Sequence, residues 1–191
     1  MLVTRELLTE YLEAVGSRFP HPGRLFLVGE TSQVFAGLRD WAEMVEVAGE
    51  VAPEHAAELS SAIASVAGEL GIEVFEESPA DVIPLPDGYE ERARPIDSPG
   101  GSLQLFHFDP YSVAYRFIAR GDEPDYHLVL VYLDAGWLKL EEMDARLEAL
   151  LPRFTNETIQ QDPAEFRRRY KGLTQMAKTL APRSIHRHTE A

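Results

Sequence analysis

Cysteine is missing altogether from the 191 residues. Its absence excludes disulfides, zinc–thiolate centres and thiol catalysis. Long apolar runs are missing too. None approaches the ~20 residues that a membrane helix needs, so no membrane contact is expected. The leading stretch MLVTRELLTEYLEAV has neither a basic lead nor a continuous apolar core and does not read as a secretory signal; a soluble cytoplasmic protein is expected. No Walker A loop, dinucleotide fingerprint, HExxH or GxSxG motif occurs, so no cofactor is implied beyond the magnesium considered below. Positive charge is scarce and localised. Residues 1–151 carry 10 Lys/Arg against 28 Asp/Glu, a net of −18, whereas residues 152–191 carry 8 against 4, a net of +4. The acidic body argues against nucleic-acid binding through phosphate contacts. The basic C-terminal run (Arg167, Arg168, Arg169, Lys171, Lys178, Arg183, Arg187) is expected to be a solvated helix face and loose tail.

What is present is a mixed pattern. Residues 4–17 place Leu7, Leu8, Tyr11, Leu12 and Val15 on one helical face behind a Thr4 cap. Leu25–Val28 is a short apolar strand, Ser32–Leu38 a short helix capped by Ser32, and Met44–Val47 a second strand. Glu54–Leu70 is a helix that follows Pro53 and ends at Gly71. Ile72–Phe75 is strand-like. The proline-rich stretch from Ser78 to Gly101 must be irregular or edge structure, since each proline removes a ladder donor. Leu103–Phe108 alternates as a strand. Beyond Asp109-Pro110 the pattern is helical over roughly 110–120, 124–135, 139–151 and 163–180. The expected fold is α+β: a mixed sheet flanked by helices over 1–109, a C-terminal helical region over 110–181, and a flexible tail over 182–191. His186 and His188 could share a metal, but a disordered tail explains them more simply. Trp41, Trp137 and the stripe Leu128, Leu130, Val131, Leu133 are read as packing.

One stretch carries chemistry: RLFLVGETSQVFAGLRDWAEMVEV, residues 24–47. A strand, a glycine turn and a helix N-terminus together can cradle phosphate through free amides. Two carboxylates at i and i+2 on the next strand share a face and could hold magnesium, a hard ion that takes oxygen ligands.

With Gly29-Glu30, a thirteen-residue gap over 31–43, and Met44-Val45-Glu46, this stretch resembles the motif of bacterial nucleotidyltransferase-fold proteins related to AbiEii-type toxins, within the DNA polymerase beta-like superfamily. Gly37-Leu38-Arg39 and Val45 fit the same pattern. So do SPADVIPLP at 78–86, GYEER at 88–92, LFHFD at 105–109 with Tyr111-Ser112, and Arg120-Gly121 with Asp125. The resemblance covers about residues 24–170. It implies a nucleotidyltransferase-like fold, with Gly29, Glu30, Thr31 and Ser32 at the nucleotide-binding turn, Glu46 and Asp81 as catalytic carboxylates, and Glu46 as a magnesium ligand.

The departures fall on the chemical positions. Glu30 stands where the triphosphate would approach and repels it. Met44 replaces the first metal carboxylate with a thioether, a poor magnesium ligand. Phe117 replaces a lysine, and Leu128 replaces the second acid of a pair, leaving Asp125. Asp81 also reads as a turn residue between prolines, and Glu46 as a strand residue on a solvated face. The expected function is therefore a degenerate, non-catalytic nucleotidyltransferase-fold protein that binds a protein partner, a second copy of itself or a ligand. The alternative is an active magnesium-dependent nucleotidyltransferase of toxin–antitoxin type, modifying RNA or protein, with Glu43 or Asp40 brought beside Glu46 by a bulge. A third reading is a cation-accepting pocket lined by Glu30, Glu46, His107 and aromatic side chains. His107 alternates with Phe106 and Phe108, faces away from both, and is read as structural.

Overall fold

Strand alternation sets the sheet. Leu25 and Leu27 are fully buried on one face, as are Val45 and Val47, and Leu103 and Leu105 are nearly so. The intervening residues turn to the opposite face. In the computed structural model, which describes residues 1–77, 79–97, 101–155 and 161–180, these residues occupy three adjacent strands of a mixed five-stranded sheet. The elements before the proline-rich stretch are β1 (Val3–Thr4), α1 (Arg5–Arg18), β2 (Gly23–Leu27), α2 (Gly29–Phe35), β3 (Trp41–Ala42), β4 (Val45–Val51), a 3-10 turn (Pro53–His55), α3 (Ala56–Leu70) and β5 (Val74–Glu76). A second 3-10 turn (Pro79–Asp81), α4 (Tyr89–Arg92), β6 (Arg94–Ile96), β7 (Leu103–His107) and α5 (Pro110–Arg120) follow. The chain closes with α6 (Glu123–Asp134), α7 (Leu140–Leu150), a 3-10 stretch (Leu151–Thr155) and α8 (Pro163–Leu180). The fold is α+β with a C-terminal helical region.

The chain forms two compact units: Met1–Pro79 with Gly88–Val113, and Ala80–Asp87 with Ala114–Ala191. In the first, the strand order is β5-β4-β2-β7-β6. β2 runs antiparallel to β4, with Leu27 opposite Val47, and parallel to β7, with Leu27 opposite His107. Leu8, Leu12 and Val15 of α1 and Leu59, Ile63 and Val66 of α3 join the strand residues in one core. The Thr4 hydroxyl accepts the Leu7 N–H at 3.5 Å and caps α1, as its position predicts. Gly71, at φ +65°, closes α3 in the left-handed conformation, where a side chain would be strained.

Two expectations need correction. α2 starts at Gly29, not at Ser32, and ends at Phe35; its N-cap is Val28, which contributes no side-chain bond. β4 continues to Val51, because Gly49, Glu50 and Val51 pair with Leu25, Arg24 and Gly23. The proline-rich stretch contains the strand β6, an edge strand as its composition allows; among the described residues it pairs with β7 alone, and Pro95 is tolerated there. His186 and His188, with the expected tail 182–191, lie outside the described residues.

Asp109 organises the exit from the sheet. Its carboxylate is completely buried. It accepts the N–H groups of Tyr111 (3.3 Å) and Ser112 (3.2 Å) and the Ser112 hydroxyl (2.7 Å) at the start of α5. It also takes two bonds of 2.9 Å from the guanidinium of Arg92. The two blocks GYEER and LFHFD thus meet in one bidentate ion pair. In the second unit the Tyr115 hydroxyl donates to the Met143 carbonyl at 2.6 Å. There Phe154 and Phe166 pack edge to face at 5.0 Å, and Arg153 donates to the Leu85 carbonyl at 2.9 Å. Removing one partner of a buried pair strands the other, so Arg92→Ala should destabilise the fold by about 3 kcal/mol, read as a lower urea midpoint. A double variant Arg92→Leu/Asp109→Asn should recover part of that loss.

Candidate functional site

Because Leu27 lies opposite Val47, the next residue, Val28, donates its N–H to the Glu46 carbonyl at 3.0 Å. The turn after β2 therefore falls beside the start of β4. Gly29 adopts φ +56° there, a conformation that favours glycine. Its role in the turn agrees with the sequence reading.

The polar groups of this turn are tied to one another. The Glu46 carboxylate accepts the Glu30 backbone N–H at 3.2 Å. Thr31 is buried; its hydroxyl accepts the Glu46 N–H at 2.7 Å and donates to the Met44 carbonyl at 3.4 Å. The Glu30 carboxylate accepts the Glu43 N–H at 3.2 Å and pairs with the Arg39 guanidinium at 3.0 Å. Arg39 also lies over the Trp41 ring, 5.6 Å from its centre. Glu30, Thr31, Met44 and Glu46 thus come together as the spacing predicts. They form a closed hydrogen-bonded turn, with a side-chain carboxylate at a helix amide that a phosphate would use.

Magnesium does not fit this donor set. Met44 offers a thioether side chain and commits its carbonyl to Thr31, and Glu46 is engaged by an amide. Asp40 and Glu43 are exposed. Among the described residues, neither joins Glu46 in a group of three metal-ligating side chains. Asp81 is exposed at the end of a 3-10 turn and belongs to the second compact unit. In that unit Phe117 and Leu128 are buried, while the buried Asp125 pairs with Arg120 at 3.1 Å. Arg39 was not recognised as part of the site from sequence. Its position after Gly37-Leu38 was visible, but its pairing with Glu30 depends on the turn's closure.

Ser32 serves a different purpose from the cap expected of it. It is buried within α2, and its Oγ lies 2.9 Å from His107 Nδ1. The parallel register of β2 and β7 puts His107 on the core face with Leu27, 6.2 Å from the Phe35 ring centre. Burial, helped by the positive charge of Arg94, lowers the His107 pKa from 6.5 to about 4. A serine beside a neutral imidazole is the pairing of a nucleophile and its base. Both groups are buried, however, and a base that weak is poorly matched to neutral pH. The pair reads as a structural bond holding α2 to β7.

No family model, curated protein or solved structure matches the chain.

The His107 shift has a stability consequence. Between pH 6.5 and about 4 the unfolded chain takes up a proton that folded His107 refuses, so this contribution falls as pH falls through that window. The full loss is about 3 kcal/mol. Urea denaturation between pH 7 and 4.5 should therefore show wild type losing roughly 2–3 kcal/mol more than His107→Gln, which does not titrate.

Proposed function

We propose that this chain is a degenerate nucleotidyltransferase-fold protein that does not transfer nucleotides and acts by binding another protein. The observation that carries this reading is the Glu46 carboxylate on the Glu30 amide, with Glu30 in turn held by Arg39 and the Glu43 amide. An active site of this kind would offer its helix amides to phosphate and its carboxylates to metal. Here the Glu30 amide and the Glu30 and Glu46 carboxylates engage other groups of the protein. The resemblance in residues 24–47, 78–92 and 105–121 supports the family part of this reading. The closed turn supports the loss of chemistry.

Support for a protein partner comes from the aromatic side chains next to the closed turn. Trp41, 39% exposed, carries the Arg39 guanidinium, and Phe75, 51% exposed, lies opposite Glu46 on the edge strand β5. Two large exposed aromatics near one turn, one of them on a strand at the edge of the sheet among the described residues, suit an interface, because both apolar area and backbone hydrogen bonds are on offer.

Calorimetric titration of the full chain with ATP, CTP, GTP and UTP, each with magnesium, tests the loss of activity. The expected result is no saturable heat at millimolar nucleotide. Micromolar, magnesium-dependent binding that disappears in Glu46→Ala would instead establish the remodelled, active nucleotidyltransferase.

A further inference from the structure

Among the described residues, one group of three His, Asp or Glu side chains gathers its ligand atoms, and it lies outside the turn described above. His21, His55 and Glu58 bring one ligand atom each to within 4.8 Å of the others. His21 Nε2 is 3.0 Å from Glu58 Oε2. The two imidazole rings stack at 3.6 Å with planes 8° apart.

The backbone prepares this arrangement. His21 sits between Pro20 and Pro22 in the turn from α1 to β2, where the rings restrict the chain. His55 ends the 3-10 turn that Pro53 begins, and Glu58 lies in the first turn of α3. A spacing of three residues places His55 and Glu58 on one side of the helix start. Three ligands from two stiff turns and a helix start lose little freedom when an ion joins them.

We propose that His21, His55 and Glu58 bind one divalent transition-metal ion of the zinc class. Two imidazoles and one carboxylate are a common zinc ligand set, completed by water in the fourth position. Ligand atoms around a tetrahedral zinc lie about 3.4 Å apart; because the stacked rings keep their in-plane lone pairs from converging, the imidazoles turn out of their stack to face one ion. Both histidines are half-exposed and Glu58 is exposed, which leaves an open path for the ion and for that movement. Imidazole nitrogen selects zinc, nickel or copper over magnesium and calcium, which prefer oxygen. The bound ion ties the turn before β2 to the start of α3.

The test is zinc titration of the EDTA-treated, desalted full chain by calorimetry, with thermal unfolding measured in parallel. The expected result is one zinc per chain at micromolar affinity, a raised melting temperature, and no effect of magnesium at equal concentration. His21→Asn and His55→Asn should each weaken binding at least tenfold while the far-ultraviolet circular dichroism stays native. The double variant His186→Asn/His188→Asn should bind as wild type does. Cobalt should give visible absorption bands of a four-coordinate ion, lost in His21→Asn. No saturable zinc binding, or binding kept in His21→Asn and lost in the His186/His188 variant, would overturn the proposal.

Discussion

The candidate site depends on the register of one central strand. Leu27 lies opposite Val47 on one side and opposite His107 on the other. That single alignment delivers the Gly29 turn to Glu46 and the core face of α2 to His107. A slip of one residue would turn Leu25 and Leu27 out of the core and Phe26 into it, and the burial of α1 and α3 against that face forbids it. The closed turn is thus a product of core packing. Glu46 reaches the Glu30 amide because Val47, beside it, is locked inward.

A second constraint acts where the sheet hands over to the helices. Asp109 is buried, and no water is needed to satisfy it, because Arg92 and the first amides of α5 take up its oxygens. A buried carboxylate adds little net stability compared with an apolar replacement, but it is intolerant of losing its partner. Such a pair fixes where α5 begins and how α4 lies against it. It gives Arg92 of GYEER and Asp109 of LFHFD a structural role that requires no substrate.

Much of the fold was legible because its signals are local. The α1 face behind Thr4, the α3 stop at Gly71 and the helical stretches after Asp109 are periodic patterns with punctuation. β1 and β3, at two residues each, are too short to show a period. The prolines left the stretch around Pro95 open to irregular or edge structure, and pairing with β7 makes it an edge strand. Ser32 was misread because a serine ahead of an apolar run resembles a cap, whereas a long-range bond to His107 decided its place. At the site, Glu30 and Met44 were readable as chemical misfits only against the motif that the stretch resembles. The ties from Glu30 to Arg39 and from Glu46 to the Glu30 amide were not, since they depend on strand register. The gathering of His21 with His55 and Glu58 joins residues more than thirty positions apart and leaves no local trace.

Glu46 is a structural group that closes the turn, not a ligand held ready for metal. Equilibrium urea denaturation of Glu46→Gln against wild type at pH 7, without added metal or nucleotide, tests it most directly. A carboxylate kept for catalysis sits among repulsive neighbours, and its removal stabilises the empty protein. A carboxylate bonded to a helix amide stabilises the fold, and its neutralisation costs about 1 kcal/mol. The expected result is a lower urea midpoint for Glu46→Gln. A higher midpoint would contradict it.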